Sequence, residues 1–439
     1  MAMGGSGRLK TVTNPCDGEN RPAILLVGAS VRWAAQSLRR GQPNSRLIGL
    51  DWFGDSDTRM VCDRFHAFQS DQEPSRNLSE QIDSVANLHA ARVVHVGGLQ
   101  VAGAANPWEG WNRLRSLVCK LAIESGVDEF PVTIPLTYQC SAGRGCLAGA
   151  AGEDAPLADW VDGASGRSID WLWKQIGSTG GLGIRRVLPE DLSIATSGDG
   201  WLQQRVHGRS YGLVAIAESD QTRVLGLSRG LHHRSGDRPF VYSGSRGPIF
   251  EGGGADPGNV PWRSLQVLSE RVAREFSLRG LFNLDFIRDS AGRWWLLELN
   301  PRPSASCEII ERWATEAGWL SPDHSLMRMH LDAIDGRDQT DLLACRSSSE
   351  WLHGRNASAQ WVKRIVFANR DVLVDVEKIQ KQFRADSIAV ELADLPSSST
   401  AFVKAGEPIL TVLLRKDDRA KRMAAAQLRR AIRIVQGAR

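Results

Sequence analysis

The stretch from Leu281 to Arg302 constrains this chain more than any other. Two runs of period-two alternation flank Ser290-Ala-Gly-Arg293, and a short polar gap with Gly between strand patterns is a hairpin signal. In the first run Phe282, Leu284 and Phe286 share one face, and Asn283 and Asp285 share the other. In the second, Trp295, Leu297 and Leu299 share one face, and Trp294, Leu296, Glu298 and Asn300 the other. With Ala291-Gly292 as a two-residue loop, Asp285 falls opposite Glu298, Cβ atoms about 5 Å apart. Two carboxylates that close repel unless a proton or a cation lies between them. An amide oxygen from Asn300 completes a hard oxygen set of the kind Mg²⁺ takes, together with water and phosphate oxygens. The competing reading is a half-exposed hairpin with solvated acids; Trp and Leu neighbours, rather than Lys, favour the metal site.

A second signal lies upstream. Trp171 to Ile176 reads as a short strand with Lys174 inside it, followed by Gly177, Ser178, Thr179, Gly180, Gly181, Leu182 and Gly183. Glycines let backbone N–H groups approach phosphate oxygens, and a preceding lysine can reach the same anion. The run is neither a Walker A loop nor a G-x-G-x-x-G fingerprint. A flexible hairpin turn explains it equally well when it is taken alone. A third segment, Gln203-Gln204-Arg205-Val206, is a short extended run that breaks at Gly208.

Around these signals the chain divides into regions. Residues 1–20 read as a disordered leader without the apolar segment of a signal peptide. Residues 21–135 read as a doubly wound α/β domain: strands at 23–28, 46–51 and 91–96, with a helix after the Gly28 turn. Residues 136–335 form the next region, opening on a loop or linker over 137–168. One helix there carries Leu265, Leu268, Val272 and Phe276, with Gly280 placed to cap it. Residues 336–414 read as a β-rich appendage, and 415–439 as a basic helical tail with Ala424, Leu428, Ala431 and Val435 on one face. That tail accounts for the net charge of +4; the body is not basic enough for nucleic acid. The tail reads as a solvated helix or a homodimer contact. No apolar run reaches membrane-spanning length. Seven scattered cysteines without a C-x-x-C read as reduced thiols of a cytoplasmic protein.

The order glycine loop, extended segment, acidic hairpin resembles the ATP-grasp superfamily, and the string Glu298-Leu-Asn-Pro-Arg302 is highly characteristic of it. The resemblance covers residues 21 to about 335. It implies an α/β and α+β chain: an ATP-grasp fold with an N-terminal doubly wound α/β domain and a C-terminal β-rich appendage. It implies ATP with Mg²⁺, or Mn²⁺ in its place, on Asp285, Glu298 and Asn300. Lys174 and the loop 177–183 would then hold phosphates, Gln203 to Val206 would hold adenine through the backbone, and Arg302 would steady the transferred phosphoryl group. The implied activity is ligation of a small-molecule acid to an amine through an acyl phosphate. Gly28-Ala-Ser-Val-Arg32, Asp51-Trp-Phe-Gly-Asp55 and Tyr242-Ser-Gly-Ser245 are similar to ATP-grasp proteins of the tyramine–glutamate ligase type, which implies an amino acid such as glutamate and a one-carbon cofactor pathway.

The chain departs from the family in three places. The first ATP-binding lysine has no clear counterpart among Arg113, Arg115 and Lys120. The 137–168 segment is long. The hinge carries Gln203-Gln204 where Glu is common. The alternatives are a non-catalytic nucleotide-binding regulator and an NAD-dependent oxidoreductase. Three further features stay open. His232-His233 lies in a polar loop, Arg229 to Asp237, and reads as a solvated pair rather than metal ligands. Arg229 and Arg234 suit a substrate carboxylate. The Gly28–Arg32 turn is either a substrate contact or a plain βα turn.

Overall fold

The computed structural model describes residues 12–13, 22–69, 74–98, 107–125, 130–141, 145–147, 170–187, 199–249, 260–337, 359–388, 390–417 and 421–437. The leader, apart from residues 12–13, most of the 137–168 segment and residues 338–358 lie outside these.

The first region builds a five-stranded sheet from β1 (Val12–Thr13), β2 (Ala23–Val27), β3 (Arg46–Asp51), β4 (Arg64–Ala67) and β5 (Arg92–His95), ordered β1-β4-β3-β2-β5. Strands β2 to β5 pair in parallel. Helices α1 (Arg32–Gly41), α2 (Ser56–Val61) and α3 (Pro74–His89) connect them. Leu25, Leu26 and Val27 are fully buried, as parallel strands covered on both faces require. This is the doubly wound unit expected from the Gly-turn pattern.

A long helix, α4 (Pro107–Ser125), and β6 (Val132–Thr133) lead into a small sheet. It contains β7 (Thr137–Ser141), β8 (Gly145–Leu147), β9 (Trp171–Gln175), β10 (Ile184–Val187) and β11 (Gly200–Gln204), ordered β10-β9-β11-β7-β8. Two of these strands fall where a linker was expected. Thr137-Tyr-Gln-Cys alternates well enough to pair with β11, and the surrounding Gly and Ala hid it. Cys140, opposite Cys146 in the β7–β8 register, is disulfide-bonded, so the expectation of reduced thiols fails there.

The large sheet has nine strands, ordered β19-β21-β17-β14-β13-β12-β15-β16-β6. They are β12 (Gly208–Ala217), β13 (Thr222–Ser235), β14 (Arg238–Ile249), β15 (Gly280–Asp289), β16 (Trp294–Asn300), β17 (Ala359–Phe367), β19 (Glu391–Ala393) and β21 (Pro408–Asp417), with β6 at one edge. Helices α5 (Trp262–Glu275), α6 (Cys307–Glu316) and α7 (Leu326–Ile334) pack on it. Leu265, Leu268, Ile309, Ile310 and Trp313 join Leu213, Leu227 and Phe286 in the largest core. β17 pairs with β14, so the last region extends this sheet. It also has a core of its own, shared by β18 (Val372–Asp375), α8 (Val376–Ala385), β20 (Thr400–Val403) and α9 (Lys421–Val435). Leu428, Ala431 and Val435 of α9 pack there, as the tail's periodicity predicts.

Two local readings are corrected. Gly280 does not cap α5. The helix closes on Ser277 in the left-handed region (φ +49), with Leu278 N–H on Ala273 O and Ser277 N–H on Arg274 O, a Schellman pair. Gly280 instead opens β15 at φ +81, where an added Cβ would meet His330 at 2.3 Å. The His232-His233 segment is strand rather than loop, because β13 runs on to Ser235.

Among the described residues, no helix is long and apolar enough to cross a membrane.

Candidate functional site

The acidic hairpin forms, and Asp285 does lie opposite Glu298, with Asn283 opposite Asn300. The route to that register differs from the expected two-residue loop. Asp289 N–H bonds Arg293 O at 3.0 Å, leaving Ser290, Ala291 and Gly292 as a three-residue loop with Gly292 at φ +86. Arg288 faces Trp294 and Phe286 faces Leu296, then the register shifts. Leu297 is the extra residue of a β-bulge, and it restores the pairing that the loop had displaced. The bulge also divides the face expected to carry Trp294, Leu296, Glu298 and Asn300 together. Trp294 and Leu296 are fully buried in the core, while Glu298 is exposed and Asn300 half-buried.

Asp289 holds the loop. Its Oδ1 accepts Ala291 and Arg293 N–H, and its Oδ2 accepts Arg293 Nε and Trp295 Nε1. Burial pushes this carboxyl up, but those donors prevail and hold it below its ordinary range.

The three expected ligands converge. Asn300 Nδ2 donates to Asp285 Oδ2 at 2.9 Å and to Glu298 Oε1 at 2.7 Å. Asn283 Nδ2 donates to Asp285 Oδ1 at 2.8 Å. Burial, then the nearby Glu298 charge, raises the Asp285 carboxyl above its usual range, against Asn283, Arg302 and Lys174. Two carboxylates crowded around one shared amide N–H₂ repel each other. The two carboxylates fit a hard divalent cation, and Asn300 adds its Oδ1 to them once the amide is turned over, since here its N–H₂ faces the acids and its Oδ1 faces Arg302. The backbone makes room for it: Gly212 of β12 pairs with Asp285, and a Cβ there would stand 3.4 Å from Asp285 Oδ1. Among the described residues, no group of three His, Cys, Asp or Glu gathers to hold a metal, here or elsewhere.

Lys174 and Arg302 flank the pair. Burial lowers the Lys174 ammonium, while Glu298 and then Asp285 oppose that shift. The same burial and the same two acids act on Arg302, whose Nη2 donates to Asn300 Oδ1 at 3.2 Å. Arg302 also borders the first sheet, 3.5 Å from a Cβ placed on Gly97. The hairpin therefore meets the C-terminal edge of the parallel strands, where open α/β sheets bind ligands.

The loop 177–183 joins β9 to β10, with Gly177, Gly180 and Gly181 at φ +80, +61 and +77. Leu182 N–H bonds Thr179 O at 3.1 Å, Ser178 N–H bonds Gln175 O at 3.4 Å, and Gln175 N–H bonds Gly183 O at 3.1 Å. Lys174 sits opposite Ile184 of β10 and Trp201 of β11, so the lysine and the loop come from one hairpin.

Gln203 and Gln204 end β11, and Arg205 to His207 cross to β12, from the small sheet to the large. Both glutamine side chains serve the seam: Gln203 Nε2 donates to Thr137 Oγ1 and Gln204 Oε1 accepts Leu136 N–H. Arg205 pairs with Asp170 at 3.3 Å. Any adenine contact here falls to the backbone and to Val206.

Of the three candidates for the first phosphate cation, Arg113 pairs with Glu275 and Lys120 with Glu124, both at the surface. Arg115 alone acts toward the small sheet, countering the burial that raises the Tyr138 hydroxyl.

The other candidates have structural uses. Arg32 is buried and bonds Glu308 Oε2 at 2.8 Å and Asp394 Oδ1 at 2.7 Å, while Val31 N–H binds Asp51 Oδ2. His233 stacks on Phe367, centroids 4.6 Å apart, and burial followed by the Arg364 charge lowers His232. Sequence reasoning gave no separate role to Ser304, whose Oγ donates to Asn283 Oδ1 at 3.2 Å. Its only signal was its place in the string after Arg302.

Residues 163–306 match the family model described as ATP-grasp domain. The chain carries an ATP-grasp domain.

Solved structures carry the same architecture beyond that domain. The carboxyaminoimidazole ribonucleotide synthase of Aspergillus clavatus, solved with ATP, is similar at a TM-score of 0.59 and 14% identity, covering 95% of this chain and 100% of that one. The N5-carboxyaminoimidazole ribonucleotide synthetase of Thermotoga maritima gives a TM-score of 0.54 at 13% identity, over 94% and 98%. The Rhizobium etli pyruvate carboxylase T882A gives 0.59 at 13%, over 94% of this chain and 37% of that one. At such identities the likeness establishes the ATP-grasp fold. No curated protein matches the chain by sequence.

Proposed function

We propose that this chain is an ATP-dependent carboxylate–amine ligase working through an acyl phosphate. The observation that carries the reading is the meeting of Asp285, Glu298 and Asn300 with Arg302 and with Lys174, which stands on the strand leading into a glycine loop, inside an ATP-grasp domain. Asp285, Glu298 and Asn300 are the residues that would hold Mg²⁺ or Mn²⁺; when bound, the ion neutralises charge on the nucleotide's phosphates. Lys174 and the N–H groups of residues 177–183 orient and cover those phosphates. Val206 and the hinge backbone hold the base, and Arg115 takes the place of the first phosphate lysine.

A carboxylate oxygen of the acid attacks the γ-phosphorus, and the bond to the departing ADP oxygen breaks. Arg302 stabilises the charge gathering on the transferred phosphoryl group. The amine nitrogen then attacks the acyl carbon, phosphate leaves with the C–O electron pair, and the nitrogen loses a proton. The chain supplies position and charge rather than a covalent residue. Closure of the loop keeps water from the acyl phosphate.

The amino acid is glutamate or a close relative, in a one-carbon cofactor pathway; the match of the Gly28, Asp51 and Tyr242 segments to tyramine–glutamate ligases supports this. ADP release tests the reading: with Mg-ATP, glutamate and a tyramine-like or pterin-linked amine should give ADP and product in equal amounts. ATP binding without ADP release for any acid–amine pair would instead favour a nucleotide-binding regulator.

A further inference from the structure

The glycine loop has a specific landing place on the large sheet. Gly180 O accepts the backbone N–H of Tyr242 at 2.8 Å. A Cβ on Gly181 would stand 2.0 Å from Phe240 O and 3.3 Å from Val241 N. The loop thus lies flush against the edge of β14 over residues 240–242.

That edge is open for a structural reason. β17 pairs with β14 only from Gly244 to Gly247, and no strand among the described residues pairs on that side before Gly244. Between His232↔Tyr242 and Leu231↔Gly244 the register shifts, making Ser243 the extra residue of a bulge that bends β14 away from β17. Gly244 sits at φ +130, 2.0 Å from Lys363 O at its Cβ position, so only glycine fits the bend. Ser243 Oγ accepts from Arg364 Nη1 at 2.7 Å, and Tyr242 Oη bonds Ser245 Oγ at 2.7 Å. These contacts hold the bulge and aim the Tyr242 N–H outward. An unpaired strand edge is a template for another backbone segment.

We propose that the open edge of β14 is the dock that holds the glycine loop closed, and that Tyr242 is a positioning residue acting through its main-chain N–H. The claim rests on the ATP-binding reading of the loop and adds what closes it. It makes a sharp distinction between two glycines of nearly equal φ. Gly177 (φ +80) has nothing within 4 Å of an added Cβ, whereas Gly181 (φ +77) has the β14 backbone. Alanine strains both positions alike, but only at Gly181 does it obstruct the dock.

The test uses the full chain with Mg²⁺ and the non-hydrolysable analogue AMP-PNP. Binding is followed by calorimetry, and exchange of the Tyr242 amide by hydrogen–deuterium measurement. Gly181→Ala should weaken binding at least tenfold more than Gly177→Ala, at matched unfolding midpoints. In the wild type the Tyr242 amide should exchange at least tenfold more slowly with nucleotide bound. Equal losses in the two variants, or a Tyr242 amide indifferent to nucleotide, would overturn the dock while leaving ATP binding intact. A wild type that binds no AMP-PNP would overturn the ATP reading, and the dock with it.

Discussion

Two groups of charge in this protein, one buried and one open at Glu298, are built on opposite principles. In the acidic hairpin, Asp285 and Glu298 face each other and share one amide donor, while Lys174 and Arg302 act on them without a hydrogen bond to either carboxylate among the described residues. In the node around Glu308 the carboxylate meets its cations directly: Arg32 and Lys363 both bond Glu308 Oε2 at 2.8 Å, and Arg32 also holds Asp394. The node joins the first sheet, the large sheet and the last region through one carboxylate. Burial pushes the Glu308 carboxyl up, but Arg32 and Lys363 prevail and hold it far below its ordinary range; Asp285 is displaced the other way. A compensated cluster fixes how parts of the molecule sit, and a frustrated one awaits a ligand.

The comparison breaks most readily at the node. Glu308→Ala takes the bonded carboxylate from buried Lys363, leaves Arg32 with Asp394, and should cost about 3–5 kcal/mol, read as a lowered urea midpoint; a loss below about 1 kcal/mol would show that the node is not structural. The pH dependence should follow with a definite sign. A carboxyl depressed on folding stabilises above its unfolded pKa, about 4.3, and that contribution is lost as the pH falls below it. Acid titration of stability should therefore be flatter for Glu308→Gln than for the wild type.

At the hairpin the expected sign reverses. Asp285→Asn removes one of two repelling acids, so without metal the stability should hold or rise by about 1 kcal/mol; a loss of several kcal/mol would recast the hairpin as a second structural node. Smallest is Gly212→Ala, whose Cβ would press on Asn283 and Asp285 at 3.3 and 3.4 Å. It should weaken binding of metal with nucleotide a few-fold and leave the melting temperature nearly unchanged. An unaltered affinity would mean that the space over Asp285 is not used.

The same contrast explains what the sequence disclosed. The hairpin is local, its partners Asp285 and Glu298 lying 13 positions apart, so alternation and one glycine turn were enough to pair them. That pairing was reached through a loop one residue too short, and the Leu297 bulge that compensates leaves no mark in the alternation. The node was illegible, since its partners lie 276 and 362 positions apart. Arg32 accordingly read only as the end of a turn that was either a substrate contact or a plain βα turn. The β13 strand was hidden because its Arg and His look like solvent-facing loop, although His233 lies on Phe367. Three parallel strands of the first sheet, β2, β3 and β5, were plain, being short apolar runs that end at glycine or acid; β4, Arg64-Phe-His-Ala67, has no such run and went unread.

The account turns on whether the hairpin holds a divalent cation with nucleotide. Binding of Mn²⁺ in the presence of ATP, followed by electron paramagnetic resonance, measures this directly. Wild-type protein should retain Mn²⁺ with ATP, and Glu298→Gln should weaken that retention by about two orders of magnitude, about 3 kcal/mol, with its unfolding midpoint unchanged. Equal Mn²⁺ binding by the two proteins would contradict it.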